Sequence, residues 1–174
     1  NELRLSGLDN NGGWAAIAAV DGNIADFANF SATGSKSTSG FGSIDQMPNE
    51  RAREDAISYD VVTNVNVGQL LPKKWGIQLP FNYGISEQMI TPEFDPVYDD
   101  LKLEDRIAAE ATQEGKDDVL EQAEDYTKRT SINLIGVRKD RGEEADANFY
   151  DIENFTFNYS YNETDHRDFE IAEL

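Results

Sequence analysis

Period-two alternation dominates this chain, and it is sharpest near the end. Phe155, Phe157, Tyr159 and Tyr161 alternate with Thr156, Asn158, Ser160 and Asn162. A strand with that pattern carries aromatic groups on one face and uncharged polar groups on the other. The same rhythm sets Val61, Thr63, Val65 and Val67 against Val62, Asn64, Asn66 and Gly68, then resumes at Trp75, Ile77, Leu79, Phe81, Tyr83 and Ile85. Pro80 falls on the polar side of the second run, where it cannot donate to a ladder, so it predicts an edge, a bulge or a strand end. Leu3 and Leu5 start a shorter alternation that the turn cluster of residues 9–13 closes. Residues 14–20 are apolar but rich in alanine and fit a strand or a helix equally. Residues 27–39, rich in Ser, Thr, Ala and Gly, read as a solvated or lumen-facing strand. Residues 39–43 read as a loop, and the charged stretch 49–55 suits a helical turn.

A different period occupies residues 101–128. Leu103, Ile107 and Ala111 recur every four positions, and Val119, Ala123 and Tyr126 follow at four and three, which predicts helix. Gly115 is expected to break it into a pair. The apolar face is thin, so such a pair must lean on another element. Strand character returns at 131–138, followed by a charged connector at 140–147. The organisation expected is a β-rich segment at 1–92, an acidic helical insertion at 93–130, and strands continuing the same sheet at 131–174.

Charge sharpens that division. The chain of 174 residues carries 15 Lys and Arg against 34 Asp and Glu, a net charge of −19, which disfavours nucleic acid phosphates as partners. Residues 1–92 hold 10 acids and 6 bases; residues 93–174 hold 24 and 9. There is no cysteine, hence no disulfide framework, thiol nucleophile or thiolate metal site. The first residue is Asn1 rather than methionine, which reads as a mature, trimmed or excised chain. No apolar run approaches the ~18 residues of a membrane-spanning helix. A spanning strand needs only about 9–11 residues, apolar at alternate positions. The aromatic alternation therefore has two readings: a soluble antiparallel sheet with its aromatic side inward, or a barrel wall with aromatics toward lipid and polar groups toward a wet lumen.

Candidate chemistry is sparse. His166 is the single histidine, and no nucleophile-elbow motif accompanies it, so it reads as a surface or loop residue. Asp9, Asn11 and Gly13 look like the start of a calcium loop but lack the downstream glutamate, and a plain turn is the better reading. Asp95, Asp99 and Asp100 form a second acidic cluster that would offer oxygen ligands to calcium, with a solvated acidic loop as the default. Gly40-Phe41-Gly42 lacks the spacing of a phosphate cradle. Lys73, Lys74 and Trp75 read as an interfacial anchor or as an ordinary hairpin turn with a packed tryptophan.

Several motifs in order resemble one family. Gly40-Phe41-Gly42-Ser43-Ile44 precedes Asn49-Glu50-Arg51-Ala52-Arg53-Glu54. Tyr59-Asp60-Val61-Val62-Thr63-Asn64-Val65-Asn66-Val67-Gly68 runs into Leu71-Pro72-Lys73-Lys74-Trp75-Gly76-Ile77. Thr91-Pro92-Glu93-Phe94-Asp95-Pro96, Asp125-Tyr126-Thr127 with Ser131-Ile132-Asn133, and Phe149-Tyr150-Asp151-Ile152-Glu153-Asn154-Phe155-Thr156 follow. Together they resemble the SprA family (also called Sov), the outer-membrane translocon of type IX secretion and gliding motility in Bacteroidetes. The resemblance implies antiparallel strands of a large outer-membrane β-barrel, of which this chain would be a fragment, with the helical pair an insertion outside the bilayer. It implies a non-enzymatic role in passing folded cargo, with secreted proteins and other translocon components as partners. The alternative is a soluble, cell-surface α+β binding module with an acidic helical arm.

Overall fold

The computed structural model describes residues 12–141 and 151–171. Leu3, Leu5, Asp9, Asn11 and most of the 140–147 connector lie outside the described residues. The chain builds one antiparallel sheet from β1 (Ala15–Ile24), β2 (Ala28–Ser37), β3 (Glu54–Asn66), the short β4 (Ile77–Gln78), β5 (Pro80–Pro92), β6 (Asp125–Lys139) and β7 (Phe157–Arg167). The long strands form an up-and-down meander, β1-β2-β3-β5-β6-β7, while β4 pairs with the end of β6. Each long strand therefore neighbours the one before it in sequence, and β1 and β7 form the two edges. The architecture is mainly β with α1 (Leu103–Ala109) and α2 (Gln113–Ala123) inserted between β5 and β6, and the sheet is not closed into a barrel.

Pairing settles what local pattern left open. Residues 15–24 become strand because each pairs with a β2 residue, from Ala15 opposite Ser37 to Ile24 opposite Ala28. Alanine alone would not choose that conformation, whereas a full antiparallel partner satisfies the backbone groups along one side. Gly22 is needed because the Phe30 ring lies over it; a methyl there would sit 2.2 Å from ring carbons. Pro80 opens β5, where its missing N–H costs no interior ladder bond. Of the charged stretch 49–55 only the start is helical: Pro48–Glu50 form one 3₁₀ turn, and Glu54 and Asp55 already belong to β3.

Three element boundaries differ from the sequence expectation. The β3 alternation stops at Asn66; Val67–Leu70 and Lys73–Trp75 are 3₁₀ turns, so Val67 and Trp75 do not extend the strands. The helical break lies before Gly115, at Thr112, whose hydroxyl caps α2 by accepting from the Gly115 amide at 3.1 Å. A glycine in the first turn, three residues after the N-cap, does not have to end a helix when its amide is capped. Helix also ends at Ala123 rather than 128, because Tyr126, Lys128 and Thr130 enter the ladder opposite Met89, Glu87 and Ile85.

The hydrophobic core among the described residues is small and lies in the helices. Leu103, Val119 and Ala123 are buried, with Ile107 and Leu120 packed against them. No strand residue belongs to that core. The sheet is a single layer whose two faces differ.

Candidate functional site

Register across the meander sorts side chains into two faces. On one, directly opposite residues form the rows Ile24–Ala28–Val65–Phe81–Leu134–Tyr159 and Gly22–Phe30–Thr63–Tyr83–Ile132–Tyr161. Next comes Val20–Ala32–Val61–Ile85–Thr130–Glu163. Val20, Ile24, Phe30, Phe157, Tyr159 and Tyr161 are exposed on this apolar face, although water solvates such groups poorly.

The apolar rows end at a polar girdle. Glu87 accepts hydrogen bonds from the hydroxyls of Tyr59 and, at 2.8 Å, Tyr126, with the Lys128 ammonium 3.9 Å away. One row further, Arg167 stacks on the Tyr126 ring at 5.0 Å and bonds Glu121 of α2. Thr91 donates to Glu124 at 3.1 Å, so the helical pair is fastened at this end of the sheet. Tyrosines whose rings lie on apolar rows and whose hydroxyls reach charge suit a boundary between an apolar and a wet medium.

The opposite face is predominantly hydrophilic, with Ile17 and Ile135 as exposed apolar exceptions. Its clearest feature is the row Asn23–Asn29–Asn64–Asn82–Asn133–Ser160, one residue from each long strand. Ser160 donates to Asn133, Asn133 to Asn82 at 3.3 Å, Asn82 to Asn64, and Asn64 to Asn29 at 2.7 Å. The bonds all run in one direction, so each inner amide both gives and receives. A cleft of about 510 Å³ lies along this row, lined among others by Phe27, Asn29, Asn64, Asn66, Asn82 and Asn133. Ser31, Thr33, Ser35, Ser58, Ser86, Thr127 and Ser131 continue the polar face, with Ser35 and Ser58 bonded at 2.7 Å. The row was hidden in the sequence because its members are far apart; asparagine recurring on the polar side of successive strands was the signal available.

Lys73, Lys74 and Trp75 lie together in the 3₁₀ turn at the rim opposite the helices. Gly76, at φ +60, closes the turn and receives the Asp140 amide at 2.6 Å, pinning it to the end of β6. All three side chains are exposed, Trp75 at 54%. Nearby cations are neutralised: Arg138 by Asp140, Lys139 by Glu153 and Arg141 by Asp151.

The acidic cluster does not assemble as its sequence spacing suggests. Asp95 is 1% exposed, and its carboxylate accepts from the amides of Val97 and Tyr98 at 2.8 and 2.9 Å and from Arg106. Burial opposes its charge, but the Arg106 bond and the two amides outweigh burial and hold the carboxyl below its ordinary range. Asp99 and Asp100 are exposed beyond that turn. Among the described residues no group of three or more His, Asp and Glu gathers as a metal site. His166 sits at the end of β7, its Nδ1 2.9 Å from Thr127 Oγ1 and its Nε2 3.4 Å from Asp168.

No helix among the described residues is long and apolar enough to cross a membrane, a test that does not bear on strands. No curated protein matches the chain. The family model for the N-terminal region of SprA, described as a motility related/secretion protein, matches residues 1–107. That match takes in β1 to β5 and the start of α1, and with them the parts of both faces that these strands supply. The chain therefore belongs to the SprA family of motility-related and secretion proteins.

Proposed function

We propose that this chain is a wall segment of an outer-membrane protein-translocation channel serving type IX secretion and gliding motility. Secretion and motility are functions of the cell envelope, and the wall reading gives the segment a definite place there. The observation that carries it is an apolar face left uncovered among the described residues and backed, strand for strand, by a predominantly hydrophilic one. A soluble sheet of this width would cover its apolar side with a second layer. A bilayer wall needs none, and its strands alternate in this manner. Strands of 10 to 15 residues meet the length that spanning requires.

The channel works by enclosing space. Amide and hydroxyl groups on the lumen face offer passing folded cargo weak, uncharged contacts, and no step of catalysis is involved. The apolar face meets lipid, and Lys73, Lys74 and Trp75 anchor one rim with ammonium groups at headgroup level and indole at the boundary. Secreted cargo and other translocon components are its partners.

Single-cysteine labelling of the full-length protein in its membrane tests the wall. Cysteines replacing Ser58 and Ser131 should react with a water-soluble maleimide after permeabilisation, while those replacing Ile85 and Ile132 should stay unlabelled until detergent is added. Equal reaction of both sets without detergent would identify the chain as a soluble cell-surface module instead.

A further inference from the structure

The two rims of the sheet are built differently. One carries the β1–β2 turn at residues 25–27 and the β3–β5 connection at 67–79. The other carries the β2–β3 connection at 38–53 and the β5–β6 connection at 93–124. Both connections at the second rim are longer than either of these two. The β6–β7 connection, residues 140–156, also belongs to the first rim and is about as long as the 38–53 connection, so the asymmetry between the rims rests on the folded 93–124 body.

The rim that carries Lys73–Trp75 folds back on the sheet. Ile77 and Gln78 pair with Lys139 and Arg138, Val67 bonds Leu79 at 2.9 Å, and Gln69 reaches the Asp26 carbonyl at 2.8 Å. These connections extend the strand ladder and tie neighbouring turns together. The helical rim instead carries a body with its own interior. Residues 93–124 contain the buried Leu103, Val119 and Ala123, the buried Asp95 paired with the half-buried Arg106, and 12 acids against 3 bases. So acidic a body requires water around it.

Outer-membrane barrels have an asymmetry of the same kind: short turns on the periplasmic side and longer loops outside. We infer that the helical rim of this wall faces the cell exterior and the Lys73–Trp75 rim faces the periplasm. The inference rests on the wall reading proposed above and adds a direction to it. The α1–α2 body and the Asp95 turn then stand on the cell surface, with Asp99 and Asp100 exposed on it. Lys73, Lys74 and Trp75 then meet the headgroups of the inner leaflet.

The chain has no cysteine, so once any thiol elsewhere in the full-length protein is replaced, introduced cysteines report cleanly. Asp100→Cys and Lys74→Cys are exposed positions that play no part in the core or the ladder. A membrane-impermeant maleimide is applied to intact and to permeabilised cells, with denatured protein as the measure of full labelling. Asp100→Cys should label fully on intact cells, and Lys74→Cys should lose nearly all label there and regain it on permeabilisation. The reverse pattern overturns the direction but leaves the wall intact. Both positions labelling on intact cells, both only after permeabilisation, or neither short of denaturation would overturn the direction and the wall together.

Discussion

The helical arm and the sheet solve the burial problem in opposite ways. The arm, small as it is, turns Leu103, Val119 and Ala123 inward and uses Asp95 to brace the turn that leads into it. The sheet is far larger, yet it leaves Val20, Ile24, Tyr159 and Tyr161 exposed and contributes nothing to that core. An element adapted to water hides its apolar groups; one adapted to lipid has no reason to. The difference teaches that exposure is a fault only relative to a solvent. On the proposed wall reading the apolar face meets lipid, and the polar girdle of Tyr59, Glu87, Tyr126 and Lys128 marks where the lipid ends.

The comparison breaks most severely at Asp95. Asp95→Ala would leave the Arg106 guanidinium without its buried partner and release two backbone amides, costing about 3–5 kcal/mol. The loss should stay in the arm: hydrogen exchange should rise across residues 93–124 and remain unchanged in β3 and β5. Acid should act on the same lock. Because the carboxyl is held below its ordinary range, its contribution is fully present above the unfolded value of about 4 and is lost as pH falls through the lower folded value. Exchange in the arm should therefore rise only in that acid window, and Asp95→Asn should abolish the pH response.

A charge placed on either face of the sheet sharpens the contrast. Ile85→Lys, on the apolar face, should cost about 2–4 kcal/mol if that position lies near the bilayer midplane. Ser131→Lys, on the polar face of the neighbouring strand, should be nearly neutral. The readout is the amount of full-length protein assembled in the outer membrane. Equal loss from both substitutions would contradict the lipid-facing assignment.

The smallest expected effect concerns the amide row. Asn82→Ala removes one bond to Asn64 and one to Asn133. Since the row is solvated, each bond is worth about 0.5–1 kcal/mol at most. Unfolding of the full-length protein in detergent should show a loss no greater than the sum, with Asn82→Ser recovering part of it. A loss several times larger would mean that the row holds the register of the wall.

Much of this was legible locally. The alternations in β3, β5 and β7 marked strands, and Pro80 marked the start of one. Ordered motifs carried the family, and the family model covers those up to Thr91–Pro96. What local pattern missed were places where two tendencies compete. Tyr126 and Lys128 fit a helical spacing as well as a ladder, and the ladder prevailed because β5 supplies partners on one side and β7 on the other. Gly115 is a helix breaker in general, yet it stands in the first turn of α2, where its amide finds the Thr112 hydroxyl. The alanine-rich β1 had no preference of its own. Asp95 seemed one of three acids available to a cation, but the fold gave its oxygens to Arg106 and the turn amides.

By itself, then, the sequence determined the alternating strands, the acidic imbalance of the second half and the kinship, because each is written in neighbouring residues or in ordered motifs. Only the tertiary structure decided which residues became neighbours across the sheet. Hydrogen-bond register aligned asparagines from Asn23 to Asn133 into one row and placed every apolar row behind it. It also decided that no second layer among the described residues covers the apolar face. Register is a property of pairs of strands, and a cover is a property of the whole fold; neither can be read from one segment of chain.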